Sequence, residues 1–154
     1  IQVDFIQPAR LGLSYIGEDG LEHTPIVLHR AVTGSTERFL GVLIENYAGA
    51  FPVWLAPVQA VLIPITDRHI EYCMRLQVLL QAQGLRVEID AAGERMNAKI
   101  RKAQAQKIPY MLIAGDREQQ SDTISVRLRS GEDLKSQTLE RFLALTQEAL
   151  TSGH

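Results

Sequence analysis

A single cysteine, Cys73, stands in 154 residues. That excludes an internal disulfide framework and suits a reducing compartment, so a cytoplasmic setting is expected. No apolar run approaches the roughly 20 residues of a membrane-spanning helix, and no secretory signal is expected. An excess of one charge is also lacking: 16 basic residues face 18 acidic ones, a formal charge of -2. Bulk attraction to nucleic acid is thereby excluded, and any such binding must use local basic patches. Repeats and low-complexity stretches are missing. So is a glycine-rich phosphate loop after the apolar run ending at Ile65, where Thr66 and Asp67 stand. This disfavours an interaction domain of flavodoxin-like shape. The initiator methionine is absent, and the chain reads as a piece of something longer.

What is present divides at residues 48–57, a helix-free connector bracketed by Pro52 and Pro57. The expected domains are 1–55 and 56–154. In the first, residues 1–6 alternate as a strand. Residues 7–24 form a loop or hairpin region broken by Pro8, Gly12, Gly17 and Gly20, and Glu18-Asp19-Gly20 turns between strands 13–16 and 26–31. A helix over 35–47 follows, stopped at Gly49. These 55 residues cannot easily bury a core of their own.

The second part alternates regularly. A doubly buried strand spans 58–65, and Asp67 opens a helix with Ile70, Met74, Leu76, Leu79 and Leu80 inward and Cys73 half-buried on its face, ending at Gly84. Strand 85–90, a basic helix 94–107, buried strand 109–114, a polar loop 115–122 and strand 123–129 succeed one another. After the Ser130-Gly131 turn, Ser136 or Thr138 caps a last helix with Leu139, Phe142, Leu143, Leu145 and Leu150 inward. The class is α/β in the order βαβαββα, a mixed sheet flanked by helices. Right-handed crossovers join its parallel strands, and the fourth strand is antiparallel.

Chemistry-bearing residues concentrate in His29-Arg30-Ala31-Val32-Thr33-Gly34-Ser35-Thr36-Glu37-Arg38-Phe39, where a strand runs through a polar turn into a helix. The turn hydroxyls suit an N-cap and Glu37 the first turn. Arg38 opposes the helix dipole, which an anion at the site would explain, and a solvated surface arginine is the alternative. By residue type alone, His29 is either a hydrogen-bonded structural histidine on a buried strand or a metal ligand. His23 and His154 are given no role, and His69, in a first helical turn, is expected to be solvated.

The same run resembles the third signature motif of class II aminoacyl-tRNA synthetases, in the form found in threonyl-tRNA synthetases. The likeness extends to Ile1-Gln2-Val3-Asp4-Phe5, Tyr15-Ile16-Gly17-Glu18-Asp19-Gly20, Pro52-Val53-Trp54-Leu55-Ala56-Pro57-Val58-Gln59 and Ile108-Pro109-Tyr110-Met111-Leu112. It implies that 1–55 is the C-terminal remnant of the class II catalytic domain and 56–154 an anticodon-binding domain. Arg38 then matches the arginine on the ATP phosphates, whose planar fork can hold developing charge. Ser35 and Gln2 match positions lining the adenylate and amino-acid pocket, and Asp4 matches nothing. His29 matches a zinc ligand. A catalytic zinc with one open position would select threonine over valine through the substrate hydroxyl. The family's other two zinc ligands and its second motif are not among these residues, and Cys73 is no substitute. The chain alone is therefore expected to retain neither zinc nor ATP-Mg2+ and not to aminoacylate.

Glu118 and Arg127 match the family's positions at the anticodon G and U. Arg129 lies on the same strand, and Arg95 and Lys99 are candidate phosphate contacts on a basic helix with Arg101, Lys102 and Lys107. Gly93-Glu94-Arg95 and Asn97 depart from the pattern of many bacterial members. The implied function is part of an ATP-dependent threonine–tRNA ligase: anticodon recognition plus a share of the ATP and threonine site. The implied partners are threonine tRNA, threonine and ATP, with no membrane, in a parent homodimer. The rival is a stand-alone RNA-binding module without catalysis.

Overall fold

The computed structural model describes residues 1–151, so His154 lies outside the described residues. The chain forms two compact units, Ile1–Leu43 and Ile44–His154.

In the first unit, β1 (Gln2–Asp4) is followed by a single-turn helix α1 (Gln7–Arg10), β2 (Tyr15–Ile16), β3 (Glu22–His23) and β4 (Val27–His29). The Asp4 side chain accepts the N–H groups of Ile6 and Gln7 at 2.9 and 3.0 Å and so starts α1. β2 pairs with β3, while β4 returns to pair antiparallel with β1. The turn at Glu18-Asp19-Gly20 is present, but it joins Tyr15–Ile16 to Glu22–His23 and not to the later strand. β4 is also more open than its apolar sequence suggests, since Leu28 and His29 are exposed. Pro8 is the unit's one buried residue. Helix α2 (Thr36–Tyr47) has no buried residue and ends as expected, with Gly49 at φ 74° donating to the Ile44 carbonyl.

The unit boundary falls inside α2, ahead of the proline-bracketed connector. Side chains of the second unit hold that connector. Gln59 Nε2 donates to the Val53 carbonyl at 2.8 Å, Arg86 donates to the Ala56 and Trp54 carbonyls at 2.9 and 2.8 Å, and Arg129 Nη1 donates to the Phe51 carbonyl.

The second unit is built on β5 (Ala60–Pro64), buried at every position. A 3-10 turn (Asp67–His69) leads into α3 (Ile70–Ala82), then β6 (Val87–Ile89), α4 (Met96–Ala105), β7 (Tyr110–Ala114), α5 (Asp116–Ser121), β8 (Thr123–Leu128), β9 (Asp133–Thr138) and α6 (Leu139–Thr151). The sheet order is β6-β5-β7-β8-β9, parallel across β6, β5 and β7 and antiparallel from β7 to β9. Two helical crossovers run to opposite sides of β5, so α3 and α4 cover opposite faces. One core joins α3 and α6 to the sheet through Tyr72, Leu76, Leu80, Leu62, Leu112, Val126 and Phe142. The other sets Ile100 and Ala103 of α4 on Val61, Ile63 and Met111.

The mixed α/β sheet flanked by helices is the expected one, with two elements added. Residues 116–121 are helical, not loop, and β9 extends the sheet. The inward face of α3 is also rotated. Tyr72, Cys73, Leu76 and Leu80 are buried, whereas Met74 and Leu79 are exposed. Cys73 is wholly buried, which pushes its thiol up to about 11. Phe142 packs edge-on against Tyr110 with ring centroids 5.3 Å apart. Phe142→Ala should cost about 3–5 kcal/mol, measured as a fall in unfolding free energy in urea.

Candidate nucleic-acid interface

Strand β8 carries the candidate residues on one of two unlike faces. Ile124 and Val126 point into the core beneath α3 and α6. Alternation turns Ser125 and Arg127 to the other face, across from Ile113 and Met111 of β7. There α4 packs over β5, and Ser125 and Arg127 remain half-buried. Glu118 reaches the same face from α5. Its Oε1 accepts the Ser125 hydroxyl at 2.8 Å and its Oε2 accepts the Gly115 N–H at 3.1 Å. A carboxylate oxygen has two lone pairs, so each retains acceptor capacity. The structure thus brings Glu118 and Arg127 onto one face. Arg127 Nε is buried and meets no hydrogen-bond partner among the described residues. Leaving a buried donor unpaired costs about 1–3 kcal/mol.

The other expected RNA contacts fare differently. Arg95 is exposed as the residue before α4, at the sheet end where the parallel strands finish and α5 begins. Arg129 is half-buried, and its guanidinium holds the Phe51 carbonyl. Lys99 requires a correction. It is 4 % exposed, and its Nζ donates to the carbonyls of Asp90 at 2.9 Å and Pro64 at 3.4 Å. An ammonium turned inward onto two strand-end carbonyls is a brace between α4 and the sheet, not a phosphate contact. The exposed cations of this helix region are Arg95, Arg101, Lys102 and Lys107.

His69 is the second correction. It is 1 % exposed rather than solvated. The Thr66 N–H donates to its Nδ1 at 3.2 Å, which places the ring proton on Nε2, 3.0 Å from Asp116 Oδ1. The hydrogen bond from His69, with help from Arg68, holds the Asp116 carboxyl below its usual range. Thr66 three residues before His69 has the spacing of a reciprocal helix cap, the one sequence signal that could have marked this histidine.

In the first unit, Gln2 and His29 are direct partners in the β1–β4 register. His29 Nε2 lies 3.2 Å from Asp4 Oδ2, and the backbone N–H groups of Gln7 and Ile6 hold that carboxyl below its usual range. Ser35 Oγ accepts the Arg38 N–H at 3.2 Å, an N-cap as the turn residues suggest, and Arg38 is exposed in the first turn of α2. Among the described residues no three His, Cys, Asp or Glu side chains come together to hold a metal ion. The described residues by themselves do not supply the three protein ligands that a catalytic zinc takes.

Comparison with known proteins places these features. Residues 59–148 match the family model described as anticodon binding domain, and the chain belongs to that family. Within it the likeness is to threonine–tRNA ligases, as the sequence resemblance led us to expect. The chain is 63% identical over 129 residues to the enzyme of Rubrobacter xylanophilus, covering 84% of this chain and 20% of that one. It is 50% identical over 150 residues to that of Clostridium novyi, covering 97% and 24%. It thus spans about a fifth to a quarter of the length of these relatives. The RNA binding domain of threonyl-tRNA synthetase from Cryptosporidium parvum superposes with a TM-score of 0.72 at 31% identity, over 97% of this chain and 38% of that one. Prolyl-tRNA synthetase of the same organism, at 18% identity and a TM-score of 0.65, shares the fold. No helix of the described residues is long and apolar enough to cross a membrane.

Two outcomes follow from the side-chain geometry. Lys99→Ala strips donors from two strand-end carbonyls and should lower stability by about 1–3 kcal/mol, read by chemical denaturation, with RNA affinity unchanged under folded conditions. The Asp116 carboxyl, depressed from its ordinary 3.8, stabilises the fold above that value. This contribution is lost as pH falls through the depressed pKa, which a carboxyl NMR titration would show as a midpoint below 3.8.

Proposed function

We propose that this chain reads the anticodon of threonine tRNA as part of an ATP-dependent threonine–tRNA ligase. The observation that carries the reading is one half-open sheet face presenting Glu118 and Arg127, the latter with a buried unpaired Nε–H. Single-stranded RNA loops are recognised through splayed-out bases hydrogen-bonded on their edges. Arg127 supplies donors only and Glu118 acceptors only, so together they select complementary base edges. The exposed cations Arg95, Arg101, Lys102 and Lys107 meet the backbone, making affinity salt-dependent.

The first unit contributes to the adenylating site of the whole enzyme, with Arg38 toward the ATP phosphates and Ser35 and Gln2 toward the adenylate and threonine. Its support is the exposed Arg38 at a capped helix start and the register that sets Gln2 beside His29. The apolar residues it exposes, among them Phe5, Leu28, Phe39 and Val42, suit packing against further catalytic-domain chain.

Gel shifts with a threonine anticodon hairpin and a base-swapped hairpin test the reading. Arg127→Ala should lose about 1–3 kcal/mol of discrimination between them. Equal binding of the unaltered chain to both hairpins would overturn it.

A further inference from the structure

The loops leaving β5 and β7 are locked together at the sheet end where Glu118 is presented. The Ile65 N–H donates to the Ala114 carbonyl at 2.9 Å. Gly115 lets Ile65 lie so close that a Cβ there would stand 2.6 Å from Ile65 Cδ1. These two contacts hold the strand ends but leave open how α5 departs. Among the described residues, the side-chain ties from the β5 loop to the first residue of α5 come from His69 and its neighbour: Nε2 to Asp116 Oδ1 at 3.0 Å, with Arg68 Nη2 3.7 Å from Oδ2. His69 is itself fixed by Thr66, through the backbone N–H at 3.2 Å and the hydroxyl at 3.1 Å from Nδ1. Both nitrogens of its buried ring are therefore engaged. Asp116 begins a helix of six residues, and Glu118 sits two positions further on.

We propose that His69 is a positioning residue for anticodon discrimination: through Asp116 it fixes the start of α5 and so the place of the Glu118 carboxylate on the sheet face. The inference rests on Glu118 reading a base. A carboxylate discriminates bases only when held to hydrogen-bond tolerance, and α5 is too short to hold its own direction. Without the His69–Asp116 bond, Glu118 still accepts Gly115 N–H and Ser125 Oγ–H, yet the helix start that carries it is free to shift. Affinity for RNA as such, which depends on the cations of the α4 region, does not pass through this bond.

The test measures matched and base-swapped hairpin affinities on the full chain for His69→Leu, His69→Gln, Asp116→Ala and Glu118→Gln, each with its unfolding midpoint. Glu118→Gln should reduce the matched-to-swapped ratio by about fivefold or more. His69→Leu and Asp116→Ala should reduce it comparably while leaving the swapped-hairpin affinity unchanged. His69→Gln, whose amide can still donate to Asp116, should restore most of it. The double variant His69→Leu with Glu118→Gln should be no worse than Glu118→Gln alone. Should His69→Leu fail to fold, Asp116→Ala decides, since that side chain is 65% exposed. Wild-type discrimination in His69→Leu and Asp116→Ala beside a loss in Glu118→Gln would overturn the positioning role alone. Wild-type discrimination in Glu118→Gln would overturn the base contact and this inference with it.

Discussion

Strand β5 is closed to water at all five positions and bonded along both edges, to β6 and to β7. A strand so placed can carry no charge, because burying an unpaired ion costs several kcal/mol. Polar chemistry must therefore lie where the parallel strands end. The three loops leaving them bring Thr66, Arg68 and His69 after β5, Arg95 after β6, and Asp116 and Glu118 after β7 to one end of the sheet. Open α/β sheets bind their ligands at this end, beside the strand where the crossovers diverge.

Unequal cover on the two faces does the rest. Helices α3 and α6 bury one face from β6 to β8, whereas α4 lies over β5 and part of β7 on the other. The antiparallel extension β8–β9 projects beyond α4, so Ser125 and Arg127 stand on rigid sheet with one side open. Base recognition asks for charged side chains on a stiff support whose remaining valences are unfilled. Glu118, held by two hydrogen bonds with lone pairs to spare, and Arg127, with a donor unmatched, meet that requirement. The first unit contrasts with this. Two small antiparallel pairings and a helix without a buried residue present apolar side chains outward.

Several parts of the fold could be read along the chain because their signals are local. The three parallel strands, the helices between them and the glycine stops at Gly49 and Gly84 follow from apolar runs and turn chemistry. Where the period is ambiguous, reading failed. Helix α3 is apolar on nearly every side, with Met74 and Val78 exposed beside buried Cys73 and Leu76, so spacing could not choose its inner face. Strand β9 escaped notice because a bulge with Lys135 at φ 63° breaks the alternation that marks a strand. Helix α5 is six polar residues without an apolar stripe.

The sequence by itself determined the α/β class, the buried strands and the residue types available for reading RNA, since these depend on neighbours a few positions away. Only the tertiary structure decided which charges face water. Lys99 sits in a basic helix yet turns inward, because the carbonyls of Asp90 and Pro64, the latter 35 residues away, converge on its ammonium. His69 is buried because Asp116, 47 residues later, is brought opposite its ring. Partners so distant along the chain meet through the pairing of β5 with both β6 and β7, and no local pattern encodes that meeting.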